Sequence, residues 1–147
     1  MTFFVDEYQR QIDDSGRMIL PSKLRKETGD TLYITQSPSE KCLHIYTAEG
    51  WAEIANKVKL LPTTTDPKAA AFVRMFFGKA SMVNADKQGR VAIKASLLQY
   101  AGIEKDVMLV GANTRLELWD CETYAKYLDS LSQTILTEGI AKYGLGI

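Results

Sequence analysis

The chain is poor in the residues from which catalytic and metal centres are usually built. Its 147 residues include one histidine, His44, and two cysteines, Cys42 and Cys121. Two cysteines do not make a disulfide framework, and a reducing cytoplasm is their natural setting. Structural zinc takes four N or S ligands in recognisable pairs, so Cys42-x-His44 is only half of such a set. Basic and acidic side chains, 18 of each, cancel to a net charge of zero. No apolar stretch approaches the roughly 20 residues needed to cross a bilayer. The start, Met1 to Glu7, meets two acids almost at once and has no basic region, which argues against a secretory signal. Nucleophile elbow, Walker loop and dinucleotide fingerprint are all missing. These absences predict a cytosolic protein that is not an enzyme and has neither cofactor nor small-molecule substrate.

A hydrophobic content of 46% with 10% aromatics is enough for a packed core and excludes a wholly disordered chain. The neutral charge is unevenly spread. Arg17 to Lys26 holds Arg17, Lys23, Arg25 and Lys26 with no acid. Lys68 to Lys94 holds six basic residues against Asp86 alone, while acids gather from Glu104 to Asp129. Such segregation places a positive face on a neutral molecule, the distribution that matters for nucleic acid.

The sequence is a tandem duplication. Asp13-Asp14-Ser15-Gly16-Arg17-Met18-Ile19-Leu20 is echoed by Asp86-Lys87-Gln88-Gly89-Arg90-Val91-Ala92-Ile93 at an offset of 73 residues. The same offset relates Leu24 to Leu97 and Gly29 to Gly102, then Leu43–Tyr46 to Leu116–Trp119 and Trp51 to Tyr124. Between these blocks a three-residue insertion aligns Asp30–Ile34 with Asp106–Val110. Each copy reads as strand, tight turn, strand, short helix and two further strands. Alternation predicts strands at Tyr8–Ile12 and Ala80–Ala85. The turns end on Gly16 and Gly89, because glycine tolerates positive φ. Strands follow at once, and helical turns at Pro21–Arg25 and Ala95–Leu98 end near Gly29 and Gly102. Further strands are predicted near Leu32–Thr35, Leu43–Tyr46, Val107–Val110 and Leu116–Trp119.

This gives a division into 5–48 as the first repeat domain, 49–78 as a helical connector, 79–121 as the second repeat domain and 122–147 as a C-terminal helix and tail. In the connector, Trp51, Ile54, Ala55 and Val58 form one apolar stripe. Leu61 to Thr65 breaks it, and Asp66 then caps a second helix with Pro67 at its first position. Tyr124, Tyr127, Leu128, Leu131 and Ile135 form the last stripe, and Glu138–Ile147, with three glycines, is expected to fray. Four short strands bury their apolar face poorly when alone. Two copies packed face to face predict a mainly β, α+β fold: a pseudo-twofold barrel that brings both turns to neighbouring surface positions.

Asp13 and Asp86 are each followed four residues later by an arginine, which favours the ionised carboxylate over an acid–base role. The arginines suit binding, since a guanidinium fork takes phosphate or guanine O6/N7 bidentately. Each aspartate is placed to accept from turn amides or from its arginine. His44 lies in an alternating strand, and its repeat counterpart and that of Cys42 are Glu117 and Arg115, so no metal site is expected.

The doubled Asp-x-x-Gly-Arg turn, Gly16-Arg17-Met18-Ile19-Leu20-Pro21, and Val107–Gly111 with Leu116–Trp119 resemble the MraZ family over residues 3–127. The resemblance implies tandem AbrB-like (swapped-hairpin) domains. It also implies a cytoplasmic, nucleoid-associated repressor of the bacterial division and cell-wall gene cluster. Such a protein binds G-rich direct repeats of double-stranded promoter DNA as a ring-like homo-oligomer. Carried onto this sequence, the motif falls on Asp13 and Arg17, and on Asp86 and Arg90. Arg17 and Arg90 become the main DNA contacts, with Lys23, Arg25, Lys87 and Lys94 as supporting phosphate candidates. The family's proline and later arginine, present here as Pro21 and Arg25, are replaced in the second copy by Lys94 and Leu98. Two rival readings remain open: an antitoxin-like AbrB module that binds a toxin, and a structural oligomer that binds a protein partner.

Overall fold

A computed structural model describes residues 2–147. The first repeat supplies β1 (Glu7–Gln11), β2 (Arg17–Ile19), α1 (Ser22–Thr28), β3 (Thr31–Gln36) and β4 (Leu43–Thr47). Helix α2 (Ala48–Val58) follows, its first turn capped by Thr47, whose Oγ1 accepts from the Gly50 amide at 3.0 Å. Helix α3 (Pro67–Val73) starts as the sequence predicts, with Asp66 accepting from the Lys68 amide, and runs into a π-helical turn, Arg74–Gly78. The second repeat supplies β5 (Ser81–Asn84), β6 (Arg90–Ala92), α4 (Ala95–Ala101), β7 (Asp106–Ala112) and β8 (Arg115–Asp120). Helices α5 (Cys121–Asp129) and α6 (Ile135–Tyr143) complete the chain.

Six strands form one antiparallel sheet in the order β1-β7-β8-β4-β3-β5, while β2 and β6 pair separately. Each repeat lends its first strand to the other: β1 lies on β7, and β5 on β3. Exchanging the repeats maps the sheet onto itself reversed. The pseudo-twofold axis passes through the β4–β8 pair, where His44 faces Glu117, its own repeat counterpart.

The register corrects the repeat alignment. Gln11 faces Asp106, and its counterpart Asn84 faces Thr31. Asp106 is therefore equivalent to Thr31 and not to Asp30, so the insertion is two residues long. A one-residue slip would turn every side chain to the opposite face. Burial agrees: Leu32 and Ile34 share the inner face with Val107 and Leu109.

The expected barrel does not close. Strands β1 and β5 are edges, each hydrogen-bonded on one side, and no ladder joins the ends of the sheet among the described residues. The reason lies at the turns, which lift β2 and β6 away from the sheet. Their backbone groups are satisfied by each other across the pseudo-twofold axis. Leu20 N donates to Gly89 O and Ile93 N to Gly16 O, both at 2.8 Å, and these bonds extend the short ladder.

One continuous core lies between the sheet and this ribbon. It takes in Met18, Leu20, Leu24, Val91, Ile93 and Leu97 from the ribbon and short helices, against Leu32, Ile34, Ile45, Leu109 and Leu118 from the sheet. Each such side chain stabilises the fold by about 1.5–3 kcal/mol. On the outer face Trp51 of α2 stacks on Tyr33 at 5.2 Å and on Phe76 at 5.7 Å, whereas α5 covers Cys42 and Trp119 with Tyr124. The tail departs from expectation. Helix α5 stops at Asp129, and residues expected to fray form α6. Glu138 in its first turn accepts from the hydroxyls of Ser132 and Thr134, both at 2.5 Å, which fixes the start of the helix.

Candidate nucleic-acid interface

The two Asp-x-x-Gly-Arg segments adopt the same turn. Gly16 N donates to Asp13 O at 3.0 Å and Gly89 N to Asp86 O at 2.9 Å. Both glycines have strongly positive φ, 79° and 83°. Asp13 Oδ1 accepts from the amides of Ser15 and Arg17 and from the Ser15 hydroxyl. Asp86 Oδ1 accepts from the amides of Gln88 and Arg90. These bonds hold both carboxyls below the usual carboxylate range, the arginine amide being the largest cause in each case.

The guanidinium groups are held differently. Arg90 Nε donates to Asp86 Oδ2 at 2.7 Å, a direct ion pair. Arg17 Nε donates to the Ser15 hydroxyl at 2.9 Å and stands 3.7 Å from Asp13 Oδ2. Ser15 has Gln88 as its counterpart, so the intervening hydroxyl exists only in the first copy.

Pairing decides where the arginines point. Arg17 faces Ala92, Met18 faces Val91, and Ile19 faces Arg90. Because strand side chains alternate, Met18 and Val91 go into the core while Arg17, Ile19, Arg90 and Ala92 share the outward face. The arginines are therefore diagonal neighbours on one ribbon. They border an open depression of about 860 Å³, which Gln88 and Lys105 also line with the acids Asp13, Asp14 and Glu104. Ile19, 56% exposed between the arginines, was not singled out from the sequence. Its only signal was the alternation in Arg17-Met18-Ile19-Leu20.

The supporting cations divide. Lys23 and Lys87 are exposed, on α1 and in the second turn. Lys94 Nζ donates to Ala80 O at 3.2 Å. Arg25 is engaged within the protein: Nη2 donates to Asp86 O at 2.9 Å, Nη1 to Lys87 O at 3.4 Å, and Nε to Asp30 Oδ1 at 3.3 Å. It braces the other repeat's turn. Its counterpart Leu98 lies against the first turn beside Gly16, so the same position supports both turns by different chemistry.

The single histidine is remote from the ribbon in the fold, on the outer face of the sheet. His44 is 5% exposed, its Nδ1 lies 3.1 Å from the Tyr46 hydroxyl, and its Nε2 has no hydrogen-bond partner among the described residues. Burial, helped by Arg115, pushes its pKa down to about 4. Glu117 Oε2 stands 3.5 Å from Nε2 and accepts from Arg115 Nη2 at 2.8 Å, while Oε1 accepts from Trp119 Nε1 at 3.1 Å.

Comparison with known proteins agrees with this architecture. A family profile described as "MraZ protein, putative antitoxin-like" matches residues 3–74 and 76–142, one block per repeat. A protein of Acetivibrio thermocellus named transcriptional regulator MraZ is 40% identical over 144 residues, covering 97% of this chain and 99% of that protein. Proteins of the same name from Clostridium botulinum and Clostridium acetobutylicum are 43% identical over 127 residues and 37% over 143. The first alignment covers 86% of this chain and 88% of its relative, the second 97% and 99%. These relatives are named as regulators and not as enzymes. With both repeats matched and near-complete coverage of these relatives, the chain belongs to the MraZ family.

Proposed function

We propose that the protein is a sequence-specific DNA-binding transcriptional repressor that reads the major groove with its β2–β6 ribbon. One observation carries this reading: Arg17 and Arg90 emerge from the same outward face of a two-stranded ribbon, each beside an equivalent Asp-anchored turn. The major groove, about 12 Å wide, admits such a ribbon, and an arginine fork pairs with guanine O6/N7. That preference suits G-rich promoter repeats, and the exposed Ile19 offers an apolar contact for a neighbouring thymine methyl. Lys23, Lys87 and Lys94 supply phosphate contacts.

The targets are the direct repeats upstream of the bacterial division and cell-wall cluster, bound in the cytoplasm at the nucleoid. Segments 5–48 and 79–121 act as two interleaved halves of one reading head. A single head offers few charges, so tight binding needs several heads on successive repeats. A ring-like homo-oligomer supplies about 10²–10⁴-fold through effective concentration. Apolar side chains left exposed on α5 and α6, among them Leu128, Leu136 and Tyr143, are the surface for that assembly. The ordered α6 argues against a flexible toxin-binding tail.

The test is fluorescence anisotropy on upstream DNA with intact and scrambled repeats at two salt concentrations. Arg17→Ala and Arg90→Ala are each expected to cost about 1–3 kcal/mol and to relax sequence preference. Equal, weak binding to both DNAs, indifferent to either substitution, refutes the proposal.

A further inference from the structure

We propose that Cys42, His44 and Glu117 form a binding site for one transition-metal ion of the zinc class, placed on the pseudo-twofold axis that joins the two repeats. The Sγ of Cys42, a ring nitrogen of His44 and a carboxylate oxygen of Glu117 lie within 4.8 Å of one another. His44 and Glu117 face each other across β4–β8. Cys42, two residues before His44, is on the same face of the sheet.

The His44 ring supplies an independent indication. Its Nε2 is buried, without a hydrogen-bond partner among the described residues, and lies 3.5 Å from Glu117 Oε2. An unsatisfied buried polar atom is expensive, and a metal ion satisfies it. A tetrahedral zinc ion with bonds of about 2.0–2.3 Å holds its ligand atoms roughly 3.3–3.8 Å apart, so the His44–Glu117 spacing already fits. Nδ1 is 3.1 Å from the Tyr46 hydroxyl, the kind of outer contact that orients a metal-binding imidazole.

Repeat logic, which seems to exclude a site because Cys42 and His44 are not duplicated, instead completes it. The axis carries the counterpart of His44 onto His44 itself, so the second copy contributes Glu117 as the third ligand. Thiolate and carboxylate together balance a divalent ion, the Cys42 proton being released on binding. Water takes the fourth position. Arg115, 2.8 Å from Glu117 Oε2, is the opposing charge. Its side chain is one-third exposed, which lets it turn away from that oxygen.

The ion would pin one repeat to the other at the centre of the sheet. The test uses the full chain, with Zn²⁺ measured by competition against a chromophoric chelator and Co²⁺ as the spectroscopic probe. One Zn²⁺ per chain is expected. Cys42→Ser and His44→Leu should each weaken binding at least about 10-fold, and Cys121→Ser should not. Arg115→Gln should tighten it. Co²⁺ bound to the unaltered protein should show thiolate charge transfer, a readout that does not depend on how the variants fold. Absence of that band, no Zn²⁺ binding, or an affinity untouched by Cys42→Ser and His44→Leu overturns the site.

Discussion

Replacing Arg25 with lysine separates two roles for one side chain, a phosphate contact on DNA and an internal brace. The structure favours the brace, since the guanidinium donates to the carbonyls of Asp86 and Lys87 at 2.9 and 3.4 Å. A compact ammonium keeps the charge but cannot span both oxygens with a planar fork. Hydrogen bonds from a charged donor contribute about 1.5–3 kcal/mol each when well formed. One of these is long, and the side chain is 30% exposed, so the expected loss for Arg25→Lys is about 1–2 kcal/mol. For a chain of this size that corresponds to a fall in Tm of about 3–8 °C. Urea unfolding measures the loss, and anisotropy against salt measures phosphate contacts, each worth about one unit of slope. Arg25→Lys and Arg25→Ala should both unfold more easily, with the salt slope of DNA binding unchanged. Unaltered stability in both, with the slope reduced only in the alanine variant, would refute the brace.

Gly111→Ala should be among the most damaging single changes, because a Cβ there would run into the backbone of Val5, its carbonyl oxygen first. A loss of about 2–4 kcal/mol in urea unfolding is expected. Gly139→Ala, in α6 with nothing beyond its own helix within 4 Å among the described residues, should instead gain about 0.5–1 kcal/mol, and equal effects at the two glycines would contradict the packing. Asp13 and Asp86 have folded pKa values below 3.8, so their contribution to stability is present above that pH and is lost as pH falls through the lower folded values. Carboxyl NMR titration should place both midpoints under 3.8, and a midpoint at or above it would show that the turn amides do not bind as described. Leu136→Glu, at a position 80% exposed on α6, should lower the mass of the proposed homo-oligomer by light scattering while leaving the chain folded by circular dichroism. An unchanged mass would remove α6 from the proposed oligomer interface.

The duplication, the turns and the pairs Asp13–Arg17 and Asp86–Arg90 are local features, and the sequence alone determined them. An aspartate four residues before an arginine, with glycine between, can close only a small set of turns. Capping at Asp66 and helix endings at Gly29 and Gly102 are likewise short-range, and they match the structure. Tertiary structure decided what depends on partners distant in the chain. Strand exchange between the repeats set the 75-residue offset of β3 and β7, because register follows the facing strand and not the best local alignment. It also put Arg17 and Arg90 on one ribbon face, exposed Ile19 between them, and turned Arg25 from a surface cation into a brace for the opposite turn. Likewise, only the pairing of β4 with β8 brought His44 to Glu117, 73 residues away in sequence but adjacent across a symmetry axis that no single repeat contains.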